Sequence, residues 1–138
     1  MRGNTAQPKF IGRAVRFVVL RHETDTDTHF DWMVEDPTAS AGTGRLMTFR
    51  AGWPPAALSP RRAWTVERLP DHRRAYLDYE GPISGGRGRV QQVASGRAIA
   101  HQSSHAHLDL TLSLRNRNRR CQLTRLGGTT WQLSTLDR

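Results

Sequence analysis

Cysteine is almost missing: Cys121 is the only one in 138 residues. A single thiol makes no intramolecular disulfide and supplies no cysteine-rich zinc cluster, which excludes a disulfide scaffold and fits a reducing, cytoplasmic setting. Lysine is as scarce. Lys9 stands alone, so arginine provides all the rest of the 21 basic residues. Long apolar runs are lacking too: the richest early stretch, FIGRAVRFVVL, is interrupted by Arg13 and Arg16, so neither a signal peptide nor a membrane span is expected. No segment carries the spacing of a long amphipathic helix, and there is no Ser-His-Asp order, P-loop or dinucleotide fingerprint.

What charge there is leans to one sign. With 21 basic and 12 acidic residues the formal net charge is +9. Such a surface fits a polyanionic partner, nucleic acid above all, because each arginine that meets a phosphate displaces a counterion. An arginine-biased composition on an otherwise ordinary soluble surface gives the same count. The length suits one domain. Twelve glycines, seven prolines and a hydrophobic fraction of 36% point to short elements broken by many turns. The expectation is a flexible arm over residues 1–12, then a single domain over residues 13–138, monomeric and with no membrane partner.

Strand signals dominate that domain. AVRFVVL, from Ala14 to Leu20, is β-branched and aromatic and reads as a buried strand. After a polar loop from Glu23 to Thr28, HFDWMVE alternates, with Phe30, Trp32 and Val34 on one face and His29, Asp31, Met33 and Glu35 on the other. RLMTF and RAWTVERL are further strands, and DHRRAYLDYEGPI has room for one helical turn. RVQQVASGRAIA reads as a hairpin turning near Ser95 and Gly96. HAHLDLTLSLRN is the cleanest strand, and CQLTRL with TTWQLSTL forms a closing hairpin around Gly127 and Gly128. The fold class is therefore mainly β: a small antiparallel barrel of about eight strands with one or two short helical turns.

Three groups of residues carry chemistry. His22, His29 and Asp31 offer two imidazoles and a carboxylate, with His29 and Asp31 on the same strand face; this donor set suits manganese, zinc or iron and leaves coordination positions open. Three solvated polar residues near a strand end would read the same way. His72, Tyr76 and Glu80 form the second group, since His and Tyr four apart share one side of a helical turn and can address one phosphate; packing at a barrel end is the plainer alternative. The third, His101, His105, His107 and Asp109, looks richer in metal ligands, but it is the polar face of a leucine-lined strand and reads as a solvated outer wall. The Arg115 to Arg120 turn and the SGGRGR loop, with Arg87 and Arg89, are candidate phosphate clamps or ordinary charged turns.

FVVLRHETDTDTHFDWMVE resembles the start of the 3′-phosphoesterase domain of bacterial DNA ligase D, in which an apolar strand ends in a histidine and the next begins with His-aromatic-Asp. DHRRAYLDYEGPI is similar to that family's segment of a histidine, a tyrosine four residues on and an aromatic-Glu-Gly turn, and TTWQLSTLDR to its closing tryptophan strand. The likeness runs from Phe17 to the C-terminus in three motifs. It implies a small β-barrel that uses manganese to remove a 3′-phosphate or terminal ribonucleoside from primer-template ends. His22, His29 and Asp31 would hold the metal, His72 and Tyr76 would contact the scissile phosphate, and a DNA ligase or repair polymerase is an implied partner. Three departures stand out. The loop between the histidines is one residue longer, the family's acidic and arginine-bearing N-terminal arm has no counterpart, and Met33 occupies the place of a phosphate-gripping arginine. Arg50, Arg74 or Arg87 would have to replace it; without any replacement, a module that binds DNA ends or recruits a repair partner without turnover is the alternative.

Overall fold

β-branched and aromatic residues at alternating positions favour pleated, half-buried strands, and nearly every such run becomes one. The computed structural model describes residues 9–40, 42–54, 58–115 and 117–136. Its strands are β1 (Lys9–Glu23), β2 (Thr28–Glu35), β3 (Leu46–Ala51), β4 (Ala63–His72), β5 (Gly81–Pro82), β6 (Arg89–Ser104), β7 (His107–Leu114), β8 (Arg117–Gly127) and β9 (Thr130–Thr135), and a 3-10 turn lies at Arg74–Leu77. Every pairing is antiparallel. The ring runs β1-β2-β3-β4-β9-β8-β7-β6 and closes through β6 on β1, while the two-residue β5 adds to β6. Closure into an eight-stranded barrel leaves no long sheet edge unpaired among the described residues.

The barrel is filled. Phe17, Val19, Trp32, Phe49, Leu110 and Trp131 are among the side chains that meet inside it, leaving an apolar void of only about 30 Å³. That is room for roughly one water, so the lumen is packing and holds no ligand chamber. Trp53, carried in by the irregular crossing after β3, stacks against Trp32 and Trp64 at 5.1 and 4.8 Å.

A second apolar cluster lies on the outer wall. Val18 and Leu20 of β1, Met33 of β2, Leu46 of β3, Leu77 and Val90 pack together, with Tyr76 and Ile83 against them. β1 is thus buried on both faces, which is why Phe17 to Leu20 is a continuous apolar run where an ordinary barrel strand alternates. The cover is the segment from the 3-10 turn to β5, folded back over β1 and β2.

Three expectations need revision. β1 begins at Lys9, inside the stretch read as an arm, and bulges between Phe10 and Arg13 before continuing; residues 1–8 lie outside the described residues. Ser95 and Gly96 make no hairpin. β6 runs straight through them, because a Cβ at Gly96 would stand 3.0 Å from the Ser113 carbonyl and 3.4 Å from the Phe17 ring: this glycine serves close approach, not reversal. The polar face of β7 is not uniformly solvated either. His105 sits in the turn before the strand, and Asp109 is 3% exposed, gripped by Arg120 through Nε at 3.1 Å and Nη2 at 2.9 Å. Among the described residues, no helix is long and apolar enough to cross a membrane.

Candidate metal centre

The alternation of β2 turns His29 and Asp31 outward, and the β1–β2 register sets His22 directly opposite His29. The loop between the two histidines, one residue longer than in the family it resembles, therefore does not displace His22 from its partner. His22, His29 and Asp31 each place a ligand atom within 4.8 Å of the others, near the span of one ion with bonds of about 2.0 to 2.3 Å.

Their hydrogen bonds fix which ring atoms face inward. A carbonyl only accepts, so His22 Nε2 carries the proton it donates to the Arg87 carbonyl at 2.7 Å. His22 Nδ1 lies 3.2 Å from Asp31 Oδ2. His29 repeats the pattern with the opposite nitrogen. Its Nδ1 donates to Asp27 Oδ2 at 2.8 Å, and its Nε2 lies 3.2 Å from Asp31 Oδ1. That contact lacks hydrogen-bond geometry, and Asp31 Oδ1 is a buried oxygen with no donor. His22 Nδ1, His29 Nε2 and the Asp31 carboxylate thus converge, and the buried Asp31 Oδ1, which has no donor, is costly to bury unless a cation meets it. Manganese or zinc fits this donor set.

Asp27 and the Arg87 carbonyl are the outer supports that such sites require. Asp27 also accepts from Arg50 Nη2 at 2.8 Å, and the His29 hydrogen bond holds its carboxyl below the ordinary value. Spacing in the sequence does not single out Asp27 on its own, but Asp27, His29 and Asp31 recur every second residue, which was a legible signal. The Arg87 carbonyl has none, being backbone. It reaches His22 because Gly88 holds φ +87° against β1, where a Cβ would collide with the Glu23 carbonyl.

The other predicted residues sort by what they touch. His72, at the end of β4, lies edge-on to Tyr76 at 5.7 Å and donates from Nδ1 to the Pro70 carbonyl at 2.8 Å. Tyr76 borders the apolar cluster that contains Leu20 and Met33, strand neighbours of the triad. Glu80 is structural, accepting the Gln92 backbone N–H at 2.7 Å. Of the arginines, Arg50 stands opposite Asp31 in the β2–β3 register. Arg74 is committed elsewhere: it binds Glu35 at 2.6 Å. Burial pushes that carboxyl up, but the Arg16 N–H and Arg74 outweigh it and hold it below the ordinary value. The Arg87 side chain folds back onto Ser84, and Arg89 is exposed at the start of β6. In the Arg115 to Arg120 stretch, Arg120 is taken by Asp109. His101 and His107 bond Thr111 and Thr124, and among the described residues no second group of metal-ligating side chains converges.

A cleft of about 440 Å³ opens beside His29 on the outer wall of β2, β3, β4 and β9, lined by Asp27, Arg50, Thr65, Glu67 and Thr130 among others. Its size is that of a small-molecule site.

Comparison with known protein families and with curated proteins finds no match to this chain. The likeness to the 3′-phosphoesterase domain rests on the motifs quoted above.

Proposed function

We propose that this protein is a metal-dependent phosphoesterase that processes the 3′ ends of DNA or of RNA–DNA primer termini in repair, with His22, His29 and Asp31 holding manganese. The observation that carries this reading is the convergence of His22 Nδ1, His29 Nε2 and the buried Asp31 carboxylate, one oxygen of which has no hydrogen-bond partner. A divalent ion bound there would polarise a phosphate oxygen and offset charge in the transition state. The chain's own groups do the rest. Asp27 and the Arg87 carbonyl hold the two imidazoles in the tautomers that present lone pairs. Tyr76 donates its hydroxyl to a phosphate oxygen. With Nδ1–H committed to Pro70, His72 Nε2 takes the proton that water loses as it adds to phosphorus and returns it to the departing alcohol as the ester P–O bond breaks. Exposed basic residues such as Arg89 meet the phosphates of the bound strand.

A second reading, binding of DNA ends without turnover, is favoured by one observation: Met33, where the resembling family has an arginine, is 3% exposed and donates no hydrogen bond. The experiment that separates them incubates the purified chain with manganese and a primer-template carrying a 3′-phosphate. Release of phosphate, lost in His29→Ala with salt-dependent duplex binding nearly unchanged, supports the enzyme. Tight binding with no release supports the binder.

A further inference from the structure

Barrel closure leaves a short notch beside β6. That strand is paired with β1 along one edge between Arg89 and Ser103. Its other edge meets β5 at Arg89 and Val90, and β7 from Ala98 onward. Between those two pairings no described strand continues the ladder. Gly96, close against the Ser113 carbonyl, marks the point where β6 and β7 part. The notch has a volume of about 390 Å³ and is lined by Gln92, Val93, Ala94 and Ser95 on one side and by Ser113, Leu114 and Arg115 on the other. At its start the Glu80 carboxylate accepts the Gln92 backbone N–H at 2.7 Å, so a side chain stands in for the next rung after β5. Gln92 lies opposite Leu20 of β1 and Ala94 opposite Val19, which makes Val93 the extra residue of a β-bulge, and it is 42% exposed. Exposed edges are ordinarily guarded by lysine, proline or inward-pointing charge. This one offers a valine, an alanine and a serine, with Leu114 across the notch. Arg97, just past Ser95, and Arg115, next after Leu114, are both exposed.

We infer that this notch docks an extended, acidic segment of a partner protein. The segment adds to β6 at Val93–Ser95 as a further strand, sets an apolar side chain against Val93 and Leu114, and places carboxylates beside Arg97 and Arg115. Main-chain hydrogen bonds give such an addition its affinity, and the flanking side chains give it selectivity. A nucleic-acid strand would satisfy the arginines, but its phosphates only accept, whereas a strand edge presents N–H and C=O groups in alternation. A second copy of this chain carries the same formal charge of +9, so like charge opposes that pairing. The notch has no lining residue in common with the cleft beside His29, and a docked segment leaves that cleft open. Docking here does not depend on the phosphoesterase reading.

The test is an amide chemical-shift titration of the full chain with a capped peptide of about six residues that alternates glutamate and valine, set against its lysine–valine counterpart. Saturable shifts at Val93–Ser95 and Ser113–Arg115 are expected, with the glutamate peptide at least about tenfold tighter than the lysine one. Combining Arg97→Glu with Arg115→Glu is expected to reverse that preference. The same glutamate peptide N-methylated along its backbone keeps its charge but cannot pair with an edge, and it is expected to lose binding. Absence of shifts at these residues, equal affinity for the two peptides, or undiminished binding of the N-methylated one would overturn the inference. Two further outcomes would overturn it in favour of another occupant: a concentration-dependent dimer that shifts these residues without peptide, or an oligothymidylate that shifts them and displaces the peptide. None of these readouts involves turnover.

Discussion

Met33 packs with Leu77 in the outer apolar cluster, two residues along β2 from Asp31 and on the same wall. The position where the resembling family has a phosphate-gripping arginine is therefore dry here, roofed by the turn that carries Tyr76. Arg50, opposite Asp31 on β3 and held by Asp27, is the guanidinium nearest in register to the triad.

Met33→Arg is expected to destabilise the fold and not to restore a phosphate ligand. Burying an unpaired charge under Leu77 costs on the order of 3 kcal/mol or more, visible as a lower midpoint in urea or thermal unfolding. A variant as stable as the wild type would mean that the roof opens to solvent.

Asp27→Asn is expected to weaken manganese binding about 10- to 100-fold without changing the circular dichroism of the barrel, because the carboxylate that orients His29 is an outer-shell support. Manganese titration followed by electron paramagnetic resonance gives the ratio. Unchanged affinity would show that His29 is oriented by packing alone.

Gly88→Ala is expected to lift the loop from β1, since alanine is strained at φ +87° and its Cβ meets the Glu23 carbonyl. A loss of about 1 to 3 kcal/mol in stability and a weaker metal site follow, the second because the Arg87 carbonyl no longer fixes His22. Stability lost with metal affinity kept would separate the loop from the site.

On the far wall, Asp109 and Arg120 give a pH-dependent term. Burial pushes the Asp109 carboxyl up, but hydrogen bonds from Arg120 and Gln122 and the charge of Arg120 outweigh it and hold it below the ordinary aspartate value. A depressed carboxylate adds stability that is present above its unfolded value and lost as pH falls through the folded one. Arg120→Gln should therefore cost most at neutral pH, about 1 to 3 kcal/mol after allowing for the solvent exposure of Arg120. The gap to wild type should close in acid below about pH 4. A pH-independent difference would mean that Arg120 acts through packing.

The barrel was legible because alternation survives in β2, β3, β7 and β9, and the triad because two of its members share one strand face. What was not legible depended on contacts distant in sequence. The double burial of β1 needs Leu77 and Ile83 folded onto Val18 and Leu20. Gly96 looked like a turn because its role is to admit Phe17. Asp109 looked solvated because its partner, Arg120, lies one strand away. The cleft is drawn from β3, β4 and β9 at once, and no local spacing announces Thr65, Glu67 and Thr130 as neighbours of His29.

The central claim is that His22, His29 and Asp31 hold one divalent ion, and the direct measurement is manganese stoichiometry by titration of the wild-type chain against Asp31→Asn. One tightly held ion per chain is expected, lost in the variant while the barrel stays folded. A wild-type chain that binds no ion, or a variant that binds it equally well, would contradict it.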